Sequence, residues 1–282
     1  MARIAIATDS TAGLPPALIE RYHIHVIPLN LLFGQESLRD NVDITTEEFY
    51  RRLKTVKDAL PTTSQPSAGA FREFYETIAK EADAIVSIHI SADLSGTVAS
   101  ALQARDMLPH IPIYVVDSRF TSMALGYVVL EAARAAEAGA SPEEVVAAAE
   151  SIIPKMRVYF AVDTLRYLHM GGRIGGGAAF LGTALDIKPI LELRGGKIEA
   201  AGKARTMKRA ADKLVELLVE QFGEGARIRA ATIGAAAPEA AQQLAERIRQ
   251  RFDCVEMYTT DLSPVIGTHV GPGTIGAMGY PV

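Results

Sequence analysis

Ala84-Ile85-Val86-Ser87-Ile88-His89-Ile90 runs directly into Ser91-Ala92-Asp93-Leu94-Ser95-Gly96-Thr97. The first seven residues are a short, nearly continuous apolar run, the pattern of a strand buried on both faces. The next seven are polar and turn-forming, and an Ala-rich helical stretch follows. Strand, polar turn and helix form the repeating unit of an α/β domain. The unit recurs on either side. Residues 3–8 read as a strand closed by Asp9-Ser10-Thr11, with a Pro-initiated helix over 15–22. Residues 113–116 read as a strand ending at Asp117-Ser118. Helices over 121–138 and 142–153 follow, the second with Ser141 and Glu144 at capping-box spacing. Residues 25–33 are β-prone, and 45–53 begins Thr-Thr-Glu-Glu, a helix start with acids in its first turn. The alternation predicts a mainly parallel sheet with right-handed crossovers and flanking helices. Ligands of such sheets sit at the carboxyl ends of the strands. Three polar turns occupy that edge: Asp9-Ser10-Thr11, the 91–97 loop and Asp117-Ser118.

The second half has a different rhythm. A strand over 157–162 is followed by a hairpin, in which 188–193 and 197–203 flank Arg194-Gly195-Gly196. An amphipathic helix over 207–222, a strand over 227–233, a helix over 238–252 and a strand over 255–260 complete it. The chain closes on Gly267-Thr268-His269-Val270-Gly271-Pro272-Gly273, read as a Gly-rich loop, and a short apolar end. Hairpin plus crossover predicts a mixed sheet. The expected organisation is therefore two α/β domains, 1–155 and 156–282.

The 282 residues are 49 % apolar and 22 % charged, an ordinary globular composition. A net charge of −4 leaves no overall basic footprint for nucleic acid. No apolar run is long enough to span a bilayer, so no stable membrane insertion is expected. The start turns acidic too soon for a secretory signal, and a cytoplasmic location is the default. The single cysteine, Cys254, excludes an intramolecular disulfide and is read as a buried apolar residue.

The hydroxyl-rich stretch Pro61-Thr62-Thr63-Ser64-Gln65-Pro66-Ser67 carries no charge and is bounded by prolines, which predicts a shaped loop ahead of a helix over 68–80. Two readings stand: an N-cap turn, or hydroxyls and free backbone N–H groups arranged for a carboxylate or phosphate. The 91–97 loop offers Asp93, Ser95 and Thr97 around Gly96, with the same pair of readings. His269 is the one histidine within a Gly-rich stretch, either structural or touching a ligand together with Thr268. Arg173, in Gly171-Gly172-Arg173, is either a surface cation or a partner for an anion.

Neither G-x-G-x-x-G nor the phosphate-loop pattern occurs, so the Gly-rich run over 171–177 is a poor nucleotide site. No His/Cys/Asp/Glu spacing suggests a metal, and paired carboxylates for glycoside chemistry are not evident. Asp9, Asp93 and Asp117 are equally well explained as caps. Ser95, His269 and Asp117 are the residue types of a nucleophilic triad. The Ser lacks a nucleophile elbow, however, and the surrounding hydroxyls suit head-group binding better.

Taken together, the motifs resemble those of the DegV family of bacterial fatty-acid-binding proteins. They are Thr8-Asp9-Ser10-Thr11, Ile27-Pro28-Leu29-Asn30, Arg39-Asp40, Asp43-Ile44-Thr45, Thr63-Ser64-Gln65-Pro66-Ser67, Leu94-Ser95-Gly96-Thr97, Leu168 with Gly171-Gly172-Arg173-Ile174, Lys188-Pro189-Ile190-Leu191, and 267–273. The resemblance implies two α/β domains and a buried long-chain fatty acid such as palmitate, with no cofactor. It implies that Thr63 and Ser95 hold the carboxylate, with Thr62, Ser64, Gly96, Thr268 and His269 close by. Arg173 is a candidate head-group or partner contact. It further implies a lipid-binding subunit, not an enzyme on its own, that serves a separate ATP-dependent fatty acid kinase. His269 would then assist acyl phosphorylation. The alternative is a serine-type acyl ester hydrolase using Ser95 and His269. Two departures from the family pattern stand out: Gly175-Gly176-Gly177, where relatives are often polar, and Arg119-Phe120, where small residues are common.

Overall fold

A computed structural model describes residues 3–56, 60–182 and 187–282. The chain opens with β1 (Ile4–Asp9), a 3-10 turn over Ser10–Ala12, α1 (Pro16–Arg21), β2 (His25–Ile27), β3 (Asn30–Phe33) and β4 (Glu36–Arg39). It continues through α2 (Thr46–Leu53), β5 (Thr62–Ser64), α3 (Ala68–Ile78), β6 (Ala84–His89), α4 (Thr97–Asp106) and β7 (Ile113–Asp117). The long helix α5 (Ser122–Glu137) and α6 (Pro142–Ile152) follow. β2, β1, β6 and β7 lie in that order in one parallel sheet, so the three polar turns share its carboxyl edge. Every residue of β6 is buried, which is why it reads as a continuous apolar run rather than an alternating one.

Residues 25–33 divide into two strands rather than one. β3 leaves the parallel sheet and pairs antiparallel with β4 and β5 in a small separate sheet. The 61–67 stretch, expected as a loop, thus contains a strand. Three residues suffice because Leu32, Leu31 and Asn30 pair with Thr62, Thr63 and Ser64. The prolines on either side only limit its length.

The second domain contains β8 (Arg157–Ala161), α7 (Arg166–Met170), a 3-10 helix over Gly175–Phe180, β9 (Lys188–Arg194), β10 (Lys197–Ala204) and α8 (Met207–Phe222). β11 (Arg227–Gly234), α9 (Pro238–Arg251), β12 (Asp253–Asp261), α10 (Pro264–Val270) and β13 (Ile275–Pro281) complete it. The sheet is mixed, in the order β10-β9-β8-β13-β11-β12, with β11–β12 its parallel pair. The apolar end is not a tail. As β13 it sits between β8 and β11, antiparallel to both. Its glycines mask the strand in sequence, yet residues 275–280 are all buried. Cys254, on the edge strand β12, is half-buried rather than buried, and burial raises its thiol pKa.

α5 joins the two sheets. Residues 122–130 are buried without interruption, and the Tyr127 hydroxyl donates to Ala230 O at 2.6 Å across to β11. One apolar cluster therefore includes Ile6 and Val86 beneath the first sheet and Val158, Leu191 and Tyr280 beneath the second. Glu131 and Arg134 on α5 form a half-buried ion network with Arg229 and Glu256. No helix among the described residues is long and apolar enough to cross a membrane.

Candidate functional site

Between the carboxyl end of β6 and α10 lies a partly open cavity of about 60 Å³. Thr63, Ser64, Ser95, Arg173 and His269 line it, with Leu29, Ile90, Leu168 and Ile266 among its apolar walls. A second, almost wholly apolar cavity of about 50 Å³ shares Leu94, Thr121, Ile198, Ile266 and Val270 with the first. It extends beneath the mixed sheet to Phe160 and Met278.

Each polar residue reaches this mouth for a local reason. Thr63 is central in β5 and lines the cavity together with Ser64 at the strand's end, whereas Thr62 is exposed and does not line it. Ser67 provides the conventional cap, accepting from Ala70 N at 3.1 Å. The N-cap reading of the 61–67 stretch thus falls on Ser67, while Thr63 and Ser64 line the cavity. Ser95 precedes α4, and its hydroxyl pairs with that of Thr97 at 2.8 Å. Gly96 lies behind the wall, where a Cβ would meet Gln65 Nε2 at 2.8 Å.

The 267–273 stretch departs most from expectation. It is no loop: through Val270 it forms the last turn of α10, begun by the Ser263 cap and Pro264. Gly267 is there for close packing, since a Cβ would collide with the Tyr50 and Phe49 rings of α2. Thr268 does not join the cavity. Its buried hydroxyl donates to Pro264 O at 2.8 Å, one turn back. His269, on the other face, brings Nε2 to 2.8 Å from Thr63 Oγ1 across 206 residues of sequence. Its Nδ1 is buried against Gly171 and has no hydrogen-bond partner among the described residues. Burial, with the Arg173 cation second, lowers the imidazole pKa to about 4, so the ring is neutral at pH 7. A buried N–H without a partner is rarer than a bare acceptor. The favoured tautomer therefore carries its proton on Nε2 and donates to Thr63, leaving the Thr63 hydroxyl hydrogen free to point into the cavity.

Arg173 follows the turn after α7. Its Nε donates to Leu94 O at 3.2 Å and its Nη1 to Gly171 O at 2.7 Å, which holds it at the cavity mouth. The Gly175-Gly176-Gly177 departure is a 3-10 helix packed on β10. The Arg119 departure forms part of a clasp. Arg119 pairs with Asp93 at 3.0 Å and Asp117 at 3.2 Å, and it donates to Gly195 O in the β9–β10 turn. Ser91 Oγ donates to Gly196 O at 2.8 Å. At φ +86°, with a built Cβ only 2.7 Å from Ser91 Oγ, position 196 accepts glycine alone. Gly196→Ala should therefore lower the melting temperature, by an amount matching about 1–3 kcal/mol. An unchanged melting temperature would mean that the turn is not seated in this socket.

The triad of Ser95, His269 and Asp117 does not assemble. His269 faces Thr63, Ser95 faces Thr97, and Asp117 is taken by Arg119 and by backbone N–H groups of Ala92 and Arg119. A different Asp–His–Ser chain exists that sequence reading did not identify. The His89 ring lies between Asp9 at 3.0 Å and Ser87 at 2.7 Å, with Tyr75 beyond, and all four are fully buried. Sealed from any substrate, it is a structural strut. Among the described residues no cluster of His, Cys, Asp and Glu is arranged to hold a metal.

The DegV family model, whose description is of an uncharacterised protein, matches residues 3–282. The chain belongs to the DegV family. It is 39 % identical over 274 residues to the protein DegV of Bacillus subtilis, covering 97 % of each chain. Among solved structures, a DegV family protein from Thermus thermophilus, described for its fatty acid binding, is 38 % identical. It superposes with a TM-score of 0.94, over 99 % of this chain and 100 % of that one. The structure of DegV from Bacillus subtilis, described as a fatty acid binding protein, is 37 % identical with a TM-score of 0.91 and full coverage of both chains. The two-domain DegV fold is thus present from end to end.

Proposed function

We propose that this DegV protein binds a long-chain fatty acid and holds its carboxylate at the Thr63–Ser95 mouth, with the acyl chain in the two apolar cavities. The observation that carries the reading is the Thr63–His269 pair in the wall of a mainly apolar enclosure. A buried carboxylate is costly unless hydrogen-bonded. Thr63, oriented by neutral His269, and Ser95 donate to its oxygens without forming a fixed ion pair, and Ser64 and Arg173 flank them. Arg173 adds a positive potential that favours the anionic head. Each buried CH₂ adds about 0.8 kcal/mol, so the chain supplies most of the affinity and the hydroxyls set its direction. The first domain, 1–155, contributes the hydroxyls, and the second, 156–282, contributes His269 and Arg173.

The protein then serves as the lipid-presenting subunit for a separate ATP-dependent kinase, which phosphorylates the carboxylate at the open side of the mouth. Two features support this reading: the sequence has no phosphate-binding loop, and the head-group residues are partly exposed where Leu29, Ile90, Leu168 and Ile266 of the apolar walls are buried. The fatty acid binding described for the Thermus thermophilus and Bacillus subtilis relatives agrees with it. Denaturing extraction of purified protein followed by mass spectrometry should release about one free fatty acid per chain. An empty protein that turns over acyl esters, with activity lost in Ser95→Ala, would refute the carrier reading. With a kinase partner and ATP, acyl phosphate should form, and His269→Ala should slow it; normal turnover in that variant would remove His269 from the transfer step.

A further inference from the structure

Asp40 lies outside the cavity, yet it touches three of the segments that build it. It follows β4 and is 1 % exposed. Its Oδ2 accepts from Ser10 Oγ at 2.7 Å, and Ser10 Oγ in turn accepts from Leu29 N at 3.1 Å. Its Oδ1 accepts from Val265 N, in the first turn of α10, at 3.4 Å, and Ser263, which caps that helix, also hydrogen-bonds the carboxylate. Asp40 N donates to Leu29 O at 2.8 Å. Asp40 thus ties together the end of β1 and the start of α10 by its carboxylate, and the segment around Leu29 by its backbone N–H and through Ser10. Leu29, Val265 and His269 all line the cavity. His269 is four residues beyond Val265, on the same helical face, so whatever seats Val265 also seats the imidazole.

A neutral side chain would fill this space at lower cost, since burying a carboxylate is unfavourable. Burial indeed raises its pKa to about 6 against the hydrogen bonds that lower it. A carboxylate accepts from several donors at once and donates to none. That is what three converging donors from two distant parts of the chain require.

We propose that Asp40 is a positioning residue for the fatty-acid head group, seating α10 so that His269 Nε2 meets Thr63 Oγ1. The inference rests on the fatty-acid reading above. It acts through His269, which separates it from a general contribution to folding.

The test is a double-mutant cycle on the full chain, made with Asp40→Asn, Asp40→Ala and Ser10→Ala in native and His269→Ala backgrounds. Dissociation constants are measured for palmitate and for hexadecanol, which has the chain without the carboxylate. The ¹⁵N shifts of His269 are recorded on ligand-free protein. Asp40→Ala should weaken palmitate by about tenfold in the native background and by less than about twofold with His269→Ala, with hexadecanol little changed. Asp40→Asn should restore part of the loss, and the His269 Nε2 shift should move in Asp40→Ala. Equal losses in both backgrounds, equal losses for acid and alcohol, or an unmoved shift would overturn the proposal. If the native protein binds neither probe, the fatty-acid reading fails, and the ligand-free shift still decides whether Asp40 seats His269. If Asp40→Ala does not fold, Ser10→Ala and Asp40→Asn answer the same question.

Discussion

Thr63→Ala combined with Ser95→Ala is expected to weaken retention of a long-chain fatty acid by about 10²–10⁴-fold. In the proposed binding mode each hydroxyl donates to a charged oxygen, and such a hydrogen bond contributes about 1.5–3 kcal/mol. Two of them amount to about 3–6 kcal/mol, and each 1.4 kcal/mol is a factor of ten. The acyl chain keeps its apolar contacts, so binding should weaken rather than disappear, and preference for acid over alcohol should vanish first. The single variants should differ in stability. Thr63→Ala removes the partner that His269 Nε2 has among the described residues, and should cost the ligand-free protein about 1–3 kcal/mol. Ser95 pairs with Thr97, so its loss should cost less. Titration with palmitate and chemical denaturation of the lipid-free variants measure the two effects. Palmitate binding left unchanged in the double variant would move the carboxylate to another part of the cavity.

The second large effect is a pair of opposed pH dependences within one protein. Burial lowers His269 from its ordinary 6.5 to about 4, so the unfolded chain binds that proton more readily than the native state. Its contribution to stability is complete above pH 6.5 and is lost as pH falls through about 4. Asp40 behaves in the reverse sense. Burial raises it from 3.8 to about 6, so its contribution is complete below pH 3.8 and is lost as pH rises through about 6. Each gap corresponds to about 3 kcal/mol, and the windows overlap between pH 4 and 6, where the slopes oppose. The native protein should therefore show little net pH dependence from this pair. Single substitutions should unmask the halves. Relative to the native protein, His269→Gln should lose stability as pH rises from about 4 to 6.5, and Asp40→Asn should gain it from 3.8 to about 6. Urea denaturation of lipid-free protein across this range checks both. Difference curves without slope would show that neither group is held in the protonation state its burial dictates.

Much of this molecule was legible locally. β6 reads as buried from its apolar run, the 141–144 box caps α6 as its residues require, and α8 follows its amphipathic period over Met207–Phe222. Helices and strands of this kind are determined by near neighbours. The misreadings share one cause: each element is stabilised by a partner distant in sequence. β5 exists because β3 pairs with it, and β13 because β8 and β11 enclose it. α10 looks like a loop because Gly267 and Gly271 suggest one, yet Gly267 marks close approach to α2. Arg119 reads as an outlier until the β9–β10 turn docks on it.

The site divides along the same line. Sequence by itself determined the α/β class and the polar turns at the carboxyl edge, and offered the hydroxyl stretches 61–67 and 91–97, Arg173 and His269 as candidates, from which the family resemblance picked Thr63 and Ser95. Those signals are chemical and local, so they survive in one dimension. Only the tertiary structure decided which hydroxyls face inward, and it turned Thr62 outward and closed Thr268 onto its own helix. It also decided that His269 partners Thr63 rather than Ser95, that no triad forms with Asp117, and that Asp40 meets Val265 across 225 residues. Side-chain direction depends on strand register and helix phase, and burial depends on what packs above. Both are set by contacts between distant segments, which no local pattern encodes.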